Sequence, residues 1–205
     1  MRRFAKQKTL YMVQLAMLFS LVMVLQVVSA MIPPIGGMVS ITLTLIPVVV
    51  GAILFGKKGG AFLGFAFGLI VLINCMTALD PGGNILWSIN PFFTALICFV
   101  KGIAAGFVPA VLYRLACGKS AEVSAKRKYI SALIASLSAP VVNTSLFVCG
   151  MLLFFRDTLY VWAGDTAVIT YILVGLAGLN FLVEFLINIV LTPAIVRIVD
   201  VIKKR

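Results

Sequence analysis

The chain has 205 residues, 62% of them hydrophobic, a net charge of +11 and no histidine. Soluble domains are roughly half apolar, so this composition excludes one and points to a membrane protein. The absent histidine removes His-dependent nucleophilic chemistry, including that of rhomboid-type proteases, and the usual His-containing metal sites.

In chain order, apolar stretches are read at about 9–32, 41–55, 59–79, 89–116, 128–155 and 167–201, against the roughly 20 residues that a crossing helix needs. The first is longer than the apolar core of a signal peptide and is read as a retained span. It ends at Pro33-Pro34, followed by Gly36-Gly37. The stiff prolines and free glycines suit either a loop that covers a pocket or an ordinary tight connection. The second stretch is short and contains Pro47, so a kinked or partly unwound segment is expected there. The breaks are too short for a soluble domain, and 1–205 is read as one all-helical membrane domain.

The breaks alternate in basic charge. Fifteen Lys and Arg fall in the N-terminal segment, the second and fourth breaks and the C-terminus, against Arg156 alone in the other breaks, with Lys101 inside a span. Basic residues near span ends stay cytoplasmic, so both termini are expected inside. Anionic headgroups and topology account for the positive charge, and no nucleic-acid partner is called for. Of the four cysteines, Cys75, Cys98 and Cys149 lie in apolar spans and none forms a CxxC pair, so a disulfide or metal role is not expected. No metal site and no cofactor are expected.

Small residues recur at four-residue spacing: Ala16 and Ser20, then Gly60, Gly64 and Gly68, then Gly102 and Gly106. In lipid such ridges let helices approach closely, either within the bundle or against another subunit. Ionisable residues inside spans are costly and need a reason. Lys101 and Glu184 both fall near mid-bilayer, counted at about 1.5 Å per residue. Asn180, Glu184 and Asn188 share one face of the last span, and Asn143 lies near the middle of the fifth. These residues are read either as a Lys101–Glu184 ion pair with amides satisfied between helices, or as a pocket for a polar small molecule opened from outside. Asn74, Trp87 and Asn90 would stand near its mouth, although Trp87 also reads as an interfacial anchor.

The stretches ITLTLIPVVVGAILFGKKGGAFLGFAFGL (41–69) and APVVNTSLFVCGMLLFF (139–155), within six spans of this total length, resemble the substrate-binding S components of energy-coupling factor (ECF) vitamin transporters. The resemblance extends to the branch with folate, pantothenate and riboflavin members. It implies a six-helix fold with cytoplasmic termini in a bacterial cell membrane, and capture of a vitamin at the outer face. It also implies partnership with a membrane coupling subunit and two cytoplasmic ATPases, a lid formed by Pro33, Pro34, Gly36 and Gly37, and a pocket lined by the later helices. Ala16-x-x-x-Ser20 occupies the place of the family's Ala-x-x-x-Ala contact with the coupling subunit, and Gly60, Gly64 and Gly68 are a second candidate for that contact. A cationic Lys101 suits a carboxylate such as pantothenate's, which is the first choice of ligand, ahead of folate and riboflavin. A stand-alone secondary carrier would show matched repeats, which are not found. An integral-membrane lipid enzyme would need paired carboxylates, which six acidic residues do not supply.

Overall fold

The computed structural model describes residues 2–31, 42–118, 124–176 and 178–203; the side chains of 2–7, 179, 180 and 203 lie outside that description. Eight α-helices are described: α1 (Arg2–Met31), α2 (Leu45–Met76), α3 (Pro81–Ile89), α4 (Pro91–Cys117), α5 (Ala125–Phe154), α6 (Arg156–Ala163), α7 (Val168–Thr170) and α8 (Gly178–Lys203). A π-helical stretch, Tyr171–Leu176, leads from α7 towards α8. Among the described residues five helical segments are long and apolar enough to cross a membrane: Lys8–Met31, Leu45–Met76, Pro91–Cys117, Ala125–Phe154 and Val168–Ile202.

The expected second and third spans form the single element α2, which is broken at Gly56 (φ 69°, ψ −159°). A straight helix would separate Ala52 from Gly60 by about 12 Å. Instead, a Cβ placed on Gly60 would lie 3.0 Å from the Ala52 methyl, so residues 45–55 fold back along 57–76. The break is at Gly56 and not at Pro47, which corrects the expected kink. Pro47 sits in the first turn of α2, where a missing N–H leaves no helix bond unmade. The Gly56 conformation is one that side-chain-bearing residues rarely adopt, and no atom lies within 4 Å of a Cβ built there. Gly56→Ala therefore isolates backbone strain, and a loss of about 1–3 kcal/mol is expected, measurable as a lowered melting temperature.

The third and fifth breaks also differ from expectation. Each carries a short amphipathic helix, α3 and α6, and Leu86 and Leu159 of these helices meet in a small buried cluster with Ile97, Met151, Phe155 and Leu176. Asp80 caps α3 by accepting from Gly83 N at 3.2 Å, and Pro81 follows at the first helical position. Two further bonds tie α3 to the end of α2: Asp80 N to the Asn74 carbonyl at 3.2 Å, and Asn84 Nδ2 to the Cys75 carbonyl at 2.9 Å.

The main core lies on α2, the most enclosed of the long helices, and includes Leu45, Val48, Val49, Leu63 and Phe67. Its longest interface is with α4. There, a Cβ on Gly60 would overlap the Gly106 carbonyl oxygen, one on Gly64 that of Gly102, and one on Gly68 would lie 2.5 Å from that of Cys98. The Gly60-Gly64-Gly68 ridge is thus buried inside the bundle, where only glycine permits the approach. This corrects its assignment to a partner subunit. Ala16 and Ser20 are exposed on α1, the least enclosed long helix, and the Ser20 hydroxyl donates to the Ala16 carbonyl at 3.0 Å.

The basic breaks gather at one end of the bundle. Tyr11 meets Phe55 edge-on at 4.8 Å, Arg127 Nε donates to the Ala116 carbonyl at 3.0 Å, and Lys128 pairs with Asp200 at 3.5 Å. The Asp80 turn, α3 and α6 lie at the other end.

Candidate substrate-binding site

The cavity at the α3 end is lined by Cys75 of α2, Asp80 at the cap of α3, Thr94 and Lys101 of α4, Phe147 of α5 and Trp162 of α6, among others. Lys101 is half-buried, and its ammonium stands 5.0 Å above the Phe147 ring, a cation–π distance. Asp80 and Glu184 are the carboxylates whose fields reach it. Burial pushes the Asp80 carboxyl up from its ordinary range, opposed by the Gly83 N–H and by Lys101. One cation on an apolar wall, with a titratable acid opposite, gives an environment in which an anionic group replaces water at the ammonium.

The space between these walls is small. Room for the centres of water-sized molecules amounts to about 30 Å³, enough for one or two waters and too little for a vitamin-sized molecule. A vitamin-sized occupant of this cavity would require one of its walls to move.

The sequence-derived residues separate into two groups. Lys101 lines the cavity. Asn143 is 7% exposed, its Oδ1 has no hydrogen-bond partner among the described residues, and it lies one turn before Phe147 on the same face of α5. A buried amide oxygen left unpaired costs about 1–3 kcal/mol, which a ligand donor would recover. Asn74 is buried beside Cys75 at the end of α2.

Glu184 belongs elsewhere. It is 4% exposed, and its Oε1 accepts from the backbone Thr42 N at 2.7 Å. No Lys101–Glu184 ion pair forms among the described residues, which corrects that expectation: Lys101 packs on Phe147 and Glu184 holds the chain entering α2. Around that bond, Leu43 N donates to Ser29 Oγ at 3.1 Å, Thr44 Oγ1 to Gln26 Oε1 at 2.7 Å, and Asn188 Nδ2 to the Glu184 carbonyl at 2.8 Å. The cluster joins α1, α8 and the start of α2, directly after the proposed lid. Glu184→Leu would leave the Thr42 N–H without its acceptor. Faster amide exchange at 42–44, at a cost of about 1–3 kcal/mol, is expected by hydrogen-exchange mass spectrometry.

Asn90 caps α4, its Oδ1 accepting from Phe93 N at 3.2 Å, and Trp87 packs against the main core; neither lines the cavity. Of the two tryptophans, Trp162 lines it. The Asn180 side chain and the lid residues Pro33, Pro34, Gly36 and Gly37 lie outside the described residues. Sequence reasoning missed Asp80, Phe147 and Trp162. Asp80 had a readable signal, because Asp-Pro-Gly-Gly is a helix start with its cap and first-turn proline in place.

The family model described as ECF transporter, substrate-specific component matches residues 10–196. A relative described as the pantothenic acid transporter PanT of Lactococcus lactis subsp. cremoris (strain MG1363) is 28% identical over 163 residues, covering 76% of this chain and 75% of that protein. No solved structure matches the chain.

Proposed function

Because the chain belongs to the substrate-specific components of ECF transporters, we propose that it captures pantothenate at the outer face of the membrane for delivery inward. It is a multi-pass bacterial membrane component for vitamin transport and not an enzyme. The Lys101 ammonium in the α3-end cavity carries the choice of ligand: it offers a charge-assisted contact to a carboxylate. The PanT relative supports the same choice.

In this reading the two arms of α2 are the second and third of six membrane segments with both termini inside; the first arm, about 16 Å long, does not span the bilayer by itself. The alternation of basic breaks supports that orientation. Residues 33–40 act as the lid, and Glu184 holds the chain just after it, at Thr42. The exposed Ala16-Ser20 face of α1 docks on the coupling subunit, and two ATPases supply the work.

The test is equilibrium binding of labelled pantothenate, folate and riboflavin to the purified chain in detergent. Saturable binding of pantothenate, not displaced by the other two, is expected. A chain that binds riboflavin or folate and ignores pantothenate would overturn the ligand while leaving the family intact.

A further inference from the structure

At the basic end, away from the vitamin cavity, two adjoining cavities of about 430 and 320 Å³ share Lys57, Arg114 and Gly118 as walls. Lys57 follows the Gly56 turn, and Arg114 lies in the last turn of α4. Both side chains are exposed, and among the described residues neither has a carboxylate within ion-pair distance. Among the described residues no acidic side chain appears in either lining. Arg127, by contrast, is already engaged with the Ala116 carbonyl.

We propose that this groove binds the phosphate headgroup of an anionic phospholipid. Two exposed cations flanking one concavity, with no carboxylate on them among the described residues, suit a phosphate diester. The remaining walls discriminate its source. The smaller cavity is completed by Val111 and Leu115, and Leu115 is 71% exposed. The larger is floored by Ile53, Leu54 and Phe55. Lys57 also lays its ammonium 5.7 Å from the Phe107 ring, so that the charge sits at the edge of the apolar belt. A free phosphate would meet hydrocarbon on one side, where a lipid places its glycerol and acyl chains. The groove lies at the end whose basic residues mark the cytoplasmic side, where the anionic leaflet is found.

The experiment titrates short-chain phosphatidylglycerol, short-chain phosphatidylcholine and inorganic phosphate into the detergent-solubilised full chain, with binding followed by native mass spectrometry. Saturable retention of phosphatidylglycerol is expected, with no retention of the other two. In Lys57→Gln/Arg114→Gln, affinity should fall about 30-fold. The swap Lys57→Arg/Arg114→Lys should keep most of it. Lys8→Gln/Arg197→Gln, which removes the same charge elsewhere at that end, should change it little. Equal loss in that control would overturn the groove in favour of diffuse attraction. Competition by inorganic phosphate at concentrations similar to the lipid's would overturn the lipid as occupant. Pantothenate binding, measured alongside, should be unchanged in all three variants, which separates failure here from failure of the vitamin site.

Discussion

Gly64→Val is expected to destabilise the folded bundle strongly, not merely to weaken a docking surface. A Cβ at this position would overlap the Gly102 carbonyl oxygen, and the Gly106 nitrogen lies 3.2 Å away. Those are backbone atoms in mid-helix, so no side-chain rotation relieves the clash. α2 and α4 must separate along the interface that carries most of the α2 packing, and in lipid there is little hydrophobic gain to offset lost close contact. Overpacking of side chains costs about 1–3 kcal/mol, and a clash with fixed backbone belongs at or above the top of that range. For a chain of this size that corresponds to a melting temperature lowered by roughly 6–12 °C or more. The measurement is thermal unfolding with size-exclusion profiles. A monodisperse Gly64→Val protein with wild-type melting would mean that α2 and α4 do not interlock. Ala16→Trp is the informative contrast: on the exposed face of α1 it should leave melting and vitamin capture intact while blocking co-purification with the coupling subunit.

The second large effect is on recognition. Lys101→Met keeps the length and apolar stem of the side chain, and with them the packing on Phe147, and removes only the charge. Hydrogen bonds to charged groups contribute about 1.5–3 kcal/mol, so pantothenate affinity is expected to fall roughly 10- to 150-fold. Pantothenol, which carries an alcohol where pantothenate carries its carboxylate, should bind wild type and variant within a few-fold of each other. The ratio of the two affinities is therefore the decisive readout, because a merely loosened cavity would weaken both ligands alike. An unchanged ratio would remove Lys101 from carboxylate recognition. Asp80→Asn, which retains a side chain able to cap α3 and removes the opposing anion, should shift the ratio in favour of the acid.

The long helices were legible because hydropathy over about 20 residues reports on lipid contact whatever the neighbours are. The return at Gly56 was legible only as two stretches with a short gap. Nothing local distinguishes a glycine that turns the chain from one that packs, and Gly56 stands among six glycines within residues 51–68. The short helices α3 and α6 span 9 and 8 residues, too few for a hydropathy window, and a helix-start reading of Asp80-Pro81 was the route to the first. Glu184 was placed correctly on an inward face by its spacing from Asn188, yet assigned to the wrong partner. Periodicity says which residues share a side of a helix and is silent on what stands opposite. The same silence left the Gly60-Gly64-Gly68 ridge equally suited to a partner or to α4. Lys101 was found because a charge inside a span needs an explanation from composition alone.

Lys101 precedes Gly102, and Gly102 is seated against Gly64 and Gly68 by backbone-to-backbone contact. The Lys101 ammonium is thus mounted on a stator. Any widening of the cavity would fall to the opposite wall, the short helices α3 and α6, which are held by two hydrogen bonds to α2, by Trp87 on the main core and by the small apolar cluster. An occupant of this cavity would then be registered as displacement of that short wall, with the long helices left in register.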